Sequence, residues 1–144
     1  MKVYLASSAR NNNFRYVKTQ LEKAGHSVHD WTAGPASYGW GEVGIGDPDA
    51  CSTEQMIAAS STETLQAGLR ADVDAINRAD VFVLLLPCGA DAHFELGYAH
   101  RAGKTCLILT LNGFMRASQF YAVAGMTGDV FGDVKDLVKA LETL

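Results

Sequence analysis

No apolar run in this 144-residue chain approaches the ~18 residues that a membrane span requires. Cysteine is scarce: Cys51, Cys88 and Cys106 form an odd set without CxxC spacing. Neither a disulfide framework nor a zinc site is therefore expected, and free thiols suit a reducing compartment. Basic residues are outnumbered, 12 Lys and Arg against 16 Asp and Glu, for a net charge of −4. That balance argues against a general nucleic-acid binder, which needs a basic face to neutralise phosphates, but not against a small anionic ligand in a local pocket. No Walker motif and no GxGxxG is present, which disfavours the standard ATP and dinucleotide modes. The apolar stretch in Met1-Lys-Val-Tyr-Leu-Ala6 is too short for a signal peptide, so a cytoplasmic location is expected. There is no internal repeat or low-complexity tract.

What is present alternates strand-like and helix-like patterns. Val3–Ala6 reads as a short buried strand, and Phe14, Val17, Leu21 and Ala24 recur at helical spacing up to Gly25. Ser27–Trp31 is a second strand. A glycine-rich stretch without periodicity, at about 33–55, follows as an irregular insertion; loops of that length are usually functional or disordered. Thr62–Ala79 has Leu65, Leu69, Val73 and Ile76 on one helical face. Val81–Leu86 is a continuous apolar strand, followed by a helix over Asp91–Ala102 and a strand over Thr105–Leu109. A helical segment at 117–124, a strand near 126–131 and a helix over Val134–Leu144 complete the chain. The alternation predicts a single α/β domain of flavodoxin-like layout, about five parallel strands with helices on both faces.

In such a fold ligands bind beyond the carboxyl ends of the strands. The break Pro87-Cys88-Gly89 after the apolar strand delivers Glu95 there, within the first turn or so of the next helix, where the macrodipole favours an ionised carboxylate. A carboxylate can attack a sugar anomeric carbon and form a glycosyl-enzyme intermediate. On spacing alone, a surface glutamate complementing the dipole is the commoner explanation. Asp72 lies at the margin of the buried stripe of the preceding helix and suits a general acid; Asp74 reads as solvated and Asp80 as a helix-end residue. Ser7-Ser8-Ala9-Arg10, between a strand and a helix, has the hydroxyls, N–H groups and guanidinium of an anion site, although ordinary N-capping explains serines there equally well. Tyr4, Trp31, Tyr38 and Trp40 are candidates for a base-stacking wall, though aromatics beside strands are more often core. His93 and His100 flank Glu95 without the further ligands a metal requires. Cys88 has no evident partner base, and an inert thiol is the expectation.

Taken in order, Val3-Tyr4-Leu-Ala, Asp72-x-x-x-Ile76-x-x-Ala79-Asp80, Phe94-Glu95-Leu-Gly-Tyr-Ala99 and Gly103-Lys104 resemble the nucleoside 2-deoxyribosyltransferase superfamily, which includes the deoxynucleoside 5′-monophosphate N-hydrolases. The resemblance covers roughly two thirds of the chain. It implies a flavodoxin-like fold in which Glu95 is the nucleophile at C1′, Asp72 protonates or orients the base, and Tyr4 hydrogen-bonds the nucleophile. The loop Ser7-Ser8-Ala9-Arg10 is similar to the Gly-Ser-x-Arg loop of the monophosphate hydrolases, which implies a 5′-phosphate held by Ser8 and Arg10, with Ser118 of a neighbouring subunit as a further candidate. Members often carry Asp or Ser six residues before the nucleophile, where this chain has Gly89, and Asp91 and His93 replace small residues. The expected activity is cleavage or transfer at the N-glycosidic bond of a nucleoside or (deoxy)nucleoside 5′-monophosphate. No cofactor or metal is expected, and the expected partners are that small molecule and further copies of the chain, as a dimer or higher homo-oligomer. A TIR-like NAD glycohydrolase and a non-catalytic nucleotide-binding module are the competing readings.

Overall fold

A computed structural model describes residues 1–111 and 130–144. The chain divides into two compact units, one comprising Met1–His29 and Ile76–Leu144, the other Asp30–Ala75.

The first unit is built on five parallel strands: β1 (Lys2–Ala6), β2 (Ser27–His29), β3 (Val81–Leu86), β4 (Thr105–Thr110) and β5 (Val130–Phe131), in the order β2-β1-β3-β4-β5. This is the flavodoxin-type order, and its reversal of direction falls between β1 and β3. All six residues of β3 are buried, as a strand covered on both faces requires. Helix α1 (Phe14–Lys23) buries Phe14, Val17 and Leu21, one face of a 3.6-residue period. It packs with the C-terminal helix Val134–Leu141, whose N-cap Asp133 accepts a bond from the Lys135 N–H at 2.7 Å. A further helix, Ala90–Arg101, connects β3 to β4 and turns Ala92, Leu96 and Ala99 inward against β1, β3 and β4.

At the amino ends of the strands the Lys2 N–H donates to Asp80 Oδ2 at 2.7 Å, and the Asp80 N–H donates to the Lys2 carbonyl at 2.8 Å. The Lys104 ammonium donates to the Asn77 and Ala79 carbonyls at 2.7 and 2.8 Å, closing the end of the helix before β3. Asp80 and Lys104 therefore hold architecture.

In the second unit, the glycine-rich stretch is more ordered than its composition suggests. It contains a 3₁₀ turn (Trp40–Val43) and leads into helix α2 (Thr53–Ser60). Helix α2 begins with a capping box: Ser52 Oγ accepts from the Gln55 N–H at 3.2 Å, and Gln55 Oε1 accepts from the Ser52 N–H at 2.9 Å. Helix α3 (Glu63–Arg78) follows and runs past the unit boundary, which puts the two later helices in sequence as α4 (Ala90–Arg101) and α5 (Val134–Leu141). Val43, Ile45 and Ala59 form a small core under Tyr38, Trp40, Cys51 and Leu65.

Gly68 is required by this packing. A Cβ there would come within 2.6 Å of Tyr38 Cε1 and 3.3 Å of the Ala36 carbonyl oxygen. Gly68→Ala is expected to lower stability by about 1–3 kcal/mol despite alanine's better helix propensity, because the clash outweighs the propensity gain. Thermal unfolding checks this; an increase in Tm would show that Tyr38 gives way freely.

Candidate functional site

Tyr4 lies mid-strand in β1 with 0% of its surface exposed, and its strand register places it opposite His29 on one side and Phe82 on the other. The three rings form a stacked row: Tyr4–His29 centroids are 5.4 Å apart and Tyr4–Phe82 centroids 5.5 Å apart, with interplanar angles of 16° and 13°. The row fixes the direction of the Tyr4 ring. Its hydroxyl donates to Glu95 Oε1 at 2.9 Å. Hydrogen bonds to charged groups contribute roughly 1.5–3 kcal/mol. This one holds Oε1 of the half-buried Glu95.

The helix start narrows the position expected for Glu95. Gly89 is the N-cap and Ala90 the first helical residue, so Glu95 is in the second turn of α4 and Asp91 holds the first-turn acidic position. The macrodipole fades within the first turn, so the Tyr4 hydroxyl takes over the role assigned to it.

Two loops leave the sheet side by side, after β1 and after β3, where a doubly wound fold opens its crevice. They are tied together. Ser7 Oγ donates to the Leu85 carbonyl at 3.0 Å, while Asn11 Nδ2 contacts Ser7 Oγ at 3.0 Å and the Pro87 carbonyl at 3.1 Å. Asn11, only 8% exposed, also accepts from the Asn13 N–H through Oδ1 at 3.0 Å. Ser7 is thereby a brace between loops. Asn11 is a site-forming residue that the sequence reading passed over; its one signal is a polar residue between a buried strand and an amphipathic helix. Ser8 Oγ accepts from the Arg10 N–H at 3.2 Å, a local turn, and Arg10 is exposed beside it.

The β3–α4 loop carries Cys88, Gly89 and His93. His93 Nδ1 lies 2.8 Å from the Gly89 carbonyl, so that nitrogen carries the proton and donates. Cys88 Sγ lies 3.6 Å from the same nitrogen. Burial pushes the Cys88 thiol up to about 11, with the Glu95 charge adding in the same direction. A thiol raised that far is protonated at neutral pH and is no nucleophile. A Cβ on Gly89 would meet nothing within 4 Å, so the backbone there borders open space.

The other expected site residues are each placed on their own element. Asp91 is exposed in the first turn of α4. Asp72 is half-buried on α3, within the second unit. Trp40 packs edge-on to Tyr38, centroids 5.9 Å apart, on the second unit's core. Ser118 lies outside the described residues. Among the described residues no group of three or more His, Cys, Asp or Glu is placed to hold a metal ion, and no helix is long and apolar enough to cross a membrane.

No family model matches this chain, and no curated protein matches it in sequence. Solved structures do match. The 2-deoxyribosyltransferase of the psychrotolerant bacterium Bacillus psychrosaccharolyticus is similar over 96% of this chain and 90% of its own, with a TM-score of 0.53 and 20% identity. The CMP N-glycosidase BcmB of Clostridium botulinum is similar over 99% of both chains, with a TM-score of 0.55 and 16% identity. A conserved protein of Enterococcus faecalis covers 99% of this chain and 98% of its own, with a TM-score of 0.61 and 16% identity. The chain has the nucleoside 2-deoxyribosyltransferase-like fold.

The thiols provide a check on the site's charge. Cys88 and Cys106 are both raised to about 11, Cys88 by burial and Glu95, Cys106 by burial alone. Alkylation of either should be slow near neutral pH and rise about tenfold per pH unit until the thiol ionises near 11. Glu95→Gln is expected to accelerate Cys88 alkylation in mild alkali and to leave Cys106 unchanged. Site-resolved mass spectrometry reads both; equal effects on the two thiols would mean that Glu95 carries no charge near Cys88.

Proposed function

We propose that this chain cleaves or transfers at the N-glycosidic bond of a nucleoside or (deoxy)nucleoside 5′-monophosphate, with Glu95 as the nucleophile. The observation that carries this reading is the Tyr4–Glu95 hydrogen bond of 2.9 Å, on the strand and helix that border the β1–β3 crevice. It gains support from a deoxyribosyltransferase and a CMP N-glycosidase of the same fold. A buried phenol that spends its proton on a carboxylate fixes that carboxylate's orientation, which nucleophilic catalysis needs.

In the proposed reaction, the Glu95 carboxylate attacks C1′ and the C1′–N bond breaks, its electron pair leaving with the base. Tyr4 holds Oε1 throughout. The departing base needs a proton, and the family resemblance assigns that task to Asp72. Water or a second base then attacks C1′ and releases Glu95. Ser8 and Arg10 are assigned to a 5′-phosphate, the open backbone at Gly89 to the sugar side, and Asp91, His93, Trp40 and Ser118 to the periphery of binding. Ser7 acts through the brace with Asn11.

A panel of nucleosides, 5′-monophosphates and NAD, followed by chromatography of released base, tests this. Removing a covalent nucleophile should cost at least about 10³-fold, so Glu95→Ala is expected to release essentially no base. Tyr4→Phe, which preserves the stacked row, should lose about 10- to 100-fold in kcat, the equivalent of one hydrogen bond to a charged group. Arg10→Ala should raise KM for monophosphates and not for nucleosides. Equal base release by wild type and Glu95→Ala would remove the nucleophile assignment, and nicotinamide release from NAD alone would redirect the substrate.

A further inference from the structure

The Tyr4 hydroxyl reaches Glu95 only while the Tyr4 ring keeps its orientation, and two rings from the neighbouring strands hold it there. The two are not equivalent. Phe82 lies inside β3, is 0% exposed, and sits within a ladder that pairs β1 with β3 from Val3–Val81 to Ala6–Leu84. The core requires an apolar side chain at that place whatever Tyr4 does. His29 is half-buried and ends the three-residue strand β2, at the edge of the sheet. Its pairing with Tyr4 is the last rung of the β1–β2 ladder.

Burial alone does not call for an imidazole at such a position. Yet the His29 ring lies flat against Tyr4, with centroids 5.4 Å and planes 16° apart, much as Phe82 does on the other side at 5.5 Å and 13°. A phenol ring bounded on one face only is able to tilt away from it. Bounded on both faces, it is confined to its own plane, and in that plane its hydroxyl meets Glu95 Oε1 at 2.9 Å. A hydrogen bond weakens steeply once the donor leaves the line to its acceptor, so a tilt costs this bond before it costs much packing.

We propose that His29 is a positioning residue: its ring is the outer wall that keeps the Tyr4 hydroxyl on Glu95, and it acts on the reaction only through that bond. Its effect on turnover rests on the reading of Glu95 as the nucleophile; its effect on the bond does not. Because the influence runs through Tyr4, it is no larger than the effect of removing the Tyr4 hydroxyl, and it vanishes once that hydroxyl is gone. A side chain that merely supported the sheet would act alike whether or not Tyr4 carried its hydroxyl.

A double-mutant cycle in the full chain tests this. His29→Ala is expected to lower kcat about 3- to 30-fold with KM changed by less than about twofold. In a Tyr4→Phe background the same change should alter kcat by less than about twofold. His29→Phe restores a flat ring and should return kcat to within about twofold of wild type, whereas His29→Leu fills the space without a flat face and should stay low. The leucine variant keeps the test decisive if His29→Ala fails to fold. The bond is also read without substrate: the Tyr4 hydroxyl proton should give a slowly exchanging NMR signal that Tyr4→Phe removes. In His29→Ala and His29→Leu its exchange with water should quicken at least about tenfold. An exchange rate unchanged in both overturns the proposal, as does an equal loss of kcat with and without the Tyr4 hydroxyl. If no substrate is turned over while the exchange rate responds, the positioning of Tyr4 by His29 stands and the nucleophile assignment falls.

Discussion

Strands β1 and β3 are hydrogen-bonded neighbours although the whole second unit separates them in sequence. Everything proposed for the site depends on that pairing. Parallel neighbours launch their following loops from the same edge of the sheet, so the loop after Ala6 and the loop after Leu86 emerge together. The Val3–Val81 to Ala6–Leu84 register brings Tyr4 beside Phe82 and sets the ring row that aims the phenol at α4. Were the register to slip by one residue, the Tyr4 side chain would pass to the other face of the sheet and Glu95 would lose its partner. The Ser7–Leu85 and Asn11–Pro87 bonds extend the pairing past the end of the ladder, where strand hydrogen bonds no longer hold the chain.

How far the sequence revealed this differs residue by residue. Val81–Leu86 was legible to its exact ends, because a strand buried on both faces is a continuous apolar run bounded by Pro87. Helix α2 was not legible from hydrophobic periodicity: it buries only Ala59, and its signal was the polar pair Ser52 and Gln55. Helix α4 starts at Ala90, one residue before the expected Asp91. Gly89 has no side chain with which to cap, yet its extended backbone starts the helix all the same. Asn11 was invisible as a brace because one of its partners, Pro87, is 76 residues away. Tyr4 had a role only through resemblance; inside an apolar run a tyrosine looks like core, and here it is core and hydrogen-bond donor at once.

The resemblance itself separates into two kinds of residue. Asp80 and Lys104 tie strand and helix ends at the amino side of the sheet, away from the crevice. Tyr4 and Glu95 meet through a hydrogen bond that no packing requirement demands. A motif that mixes the two identifies a fold more securely than a reaction, which matches what chains of 16–20% identity establish.

Helix α4 shows how one element can serve three surfaces. Its residues advance about 100° each, so Ala92, Leu96 and Ala99 face the sheet while Phe94, Tyr98 and Arg101 face away. Glu95 falls between these faces, half-buried, which is where a side chain can be anchored by the core and still reach the crevice. The inward face is apolar and small, and this lets α4 lie close enough to β1 for a strand tyrosine to span the gap. An outward face with the same economy would be alanine, lysine and glutamate; instead it carries two aromatics. The anchoring face fixes the rotation of the helix about its axis, and with it the direction in which Glu95 leaves the helix. The direction of the carboxylate is thus set by the same three inward residues.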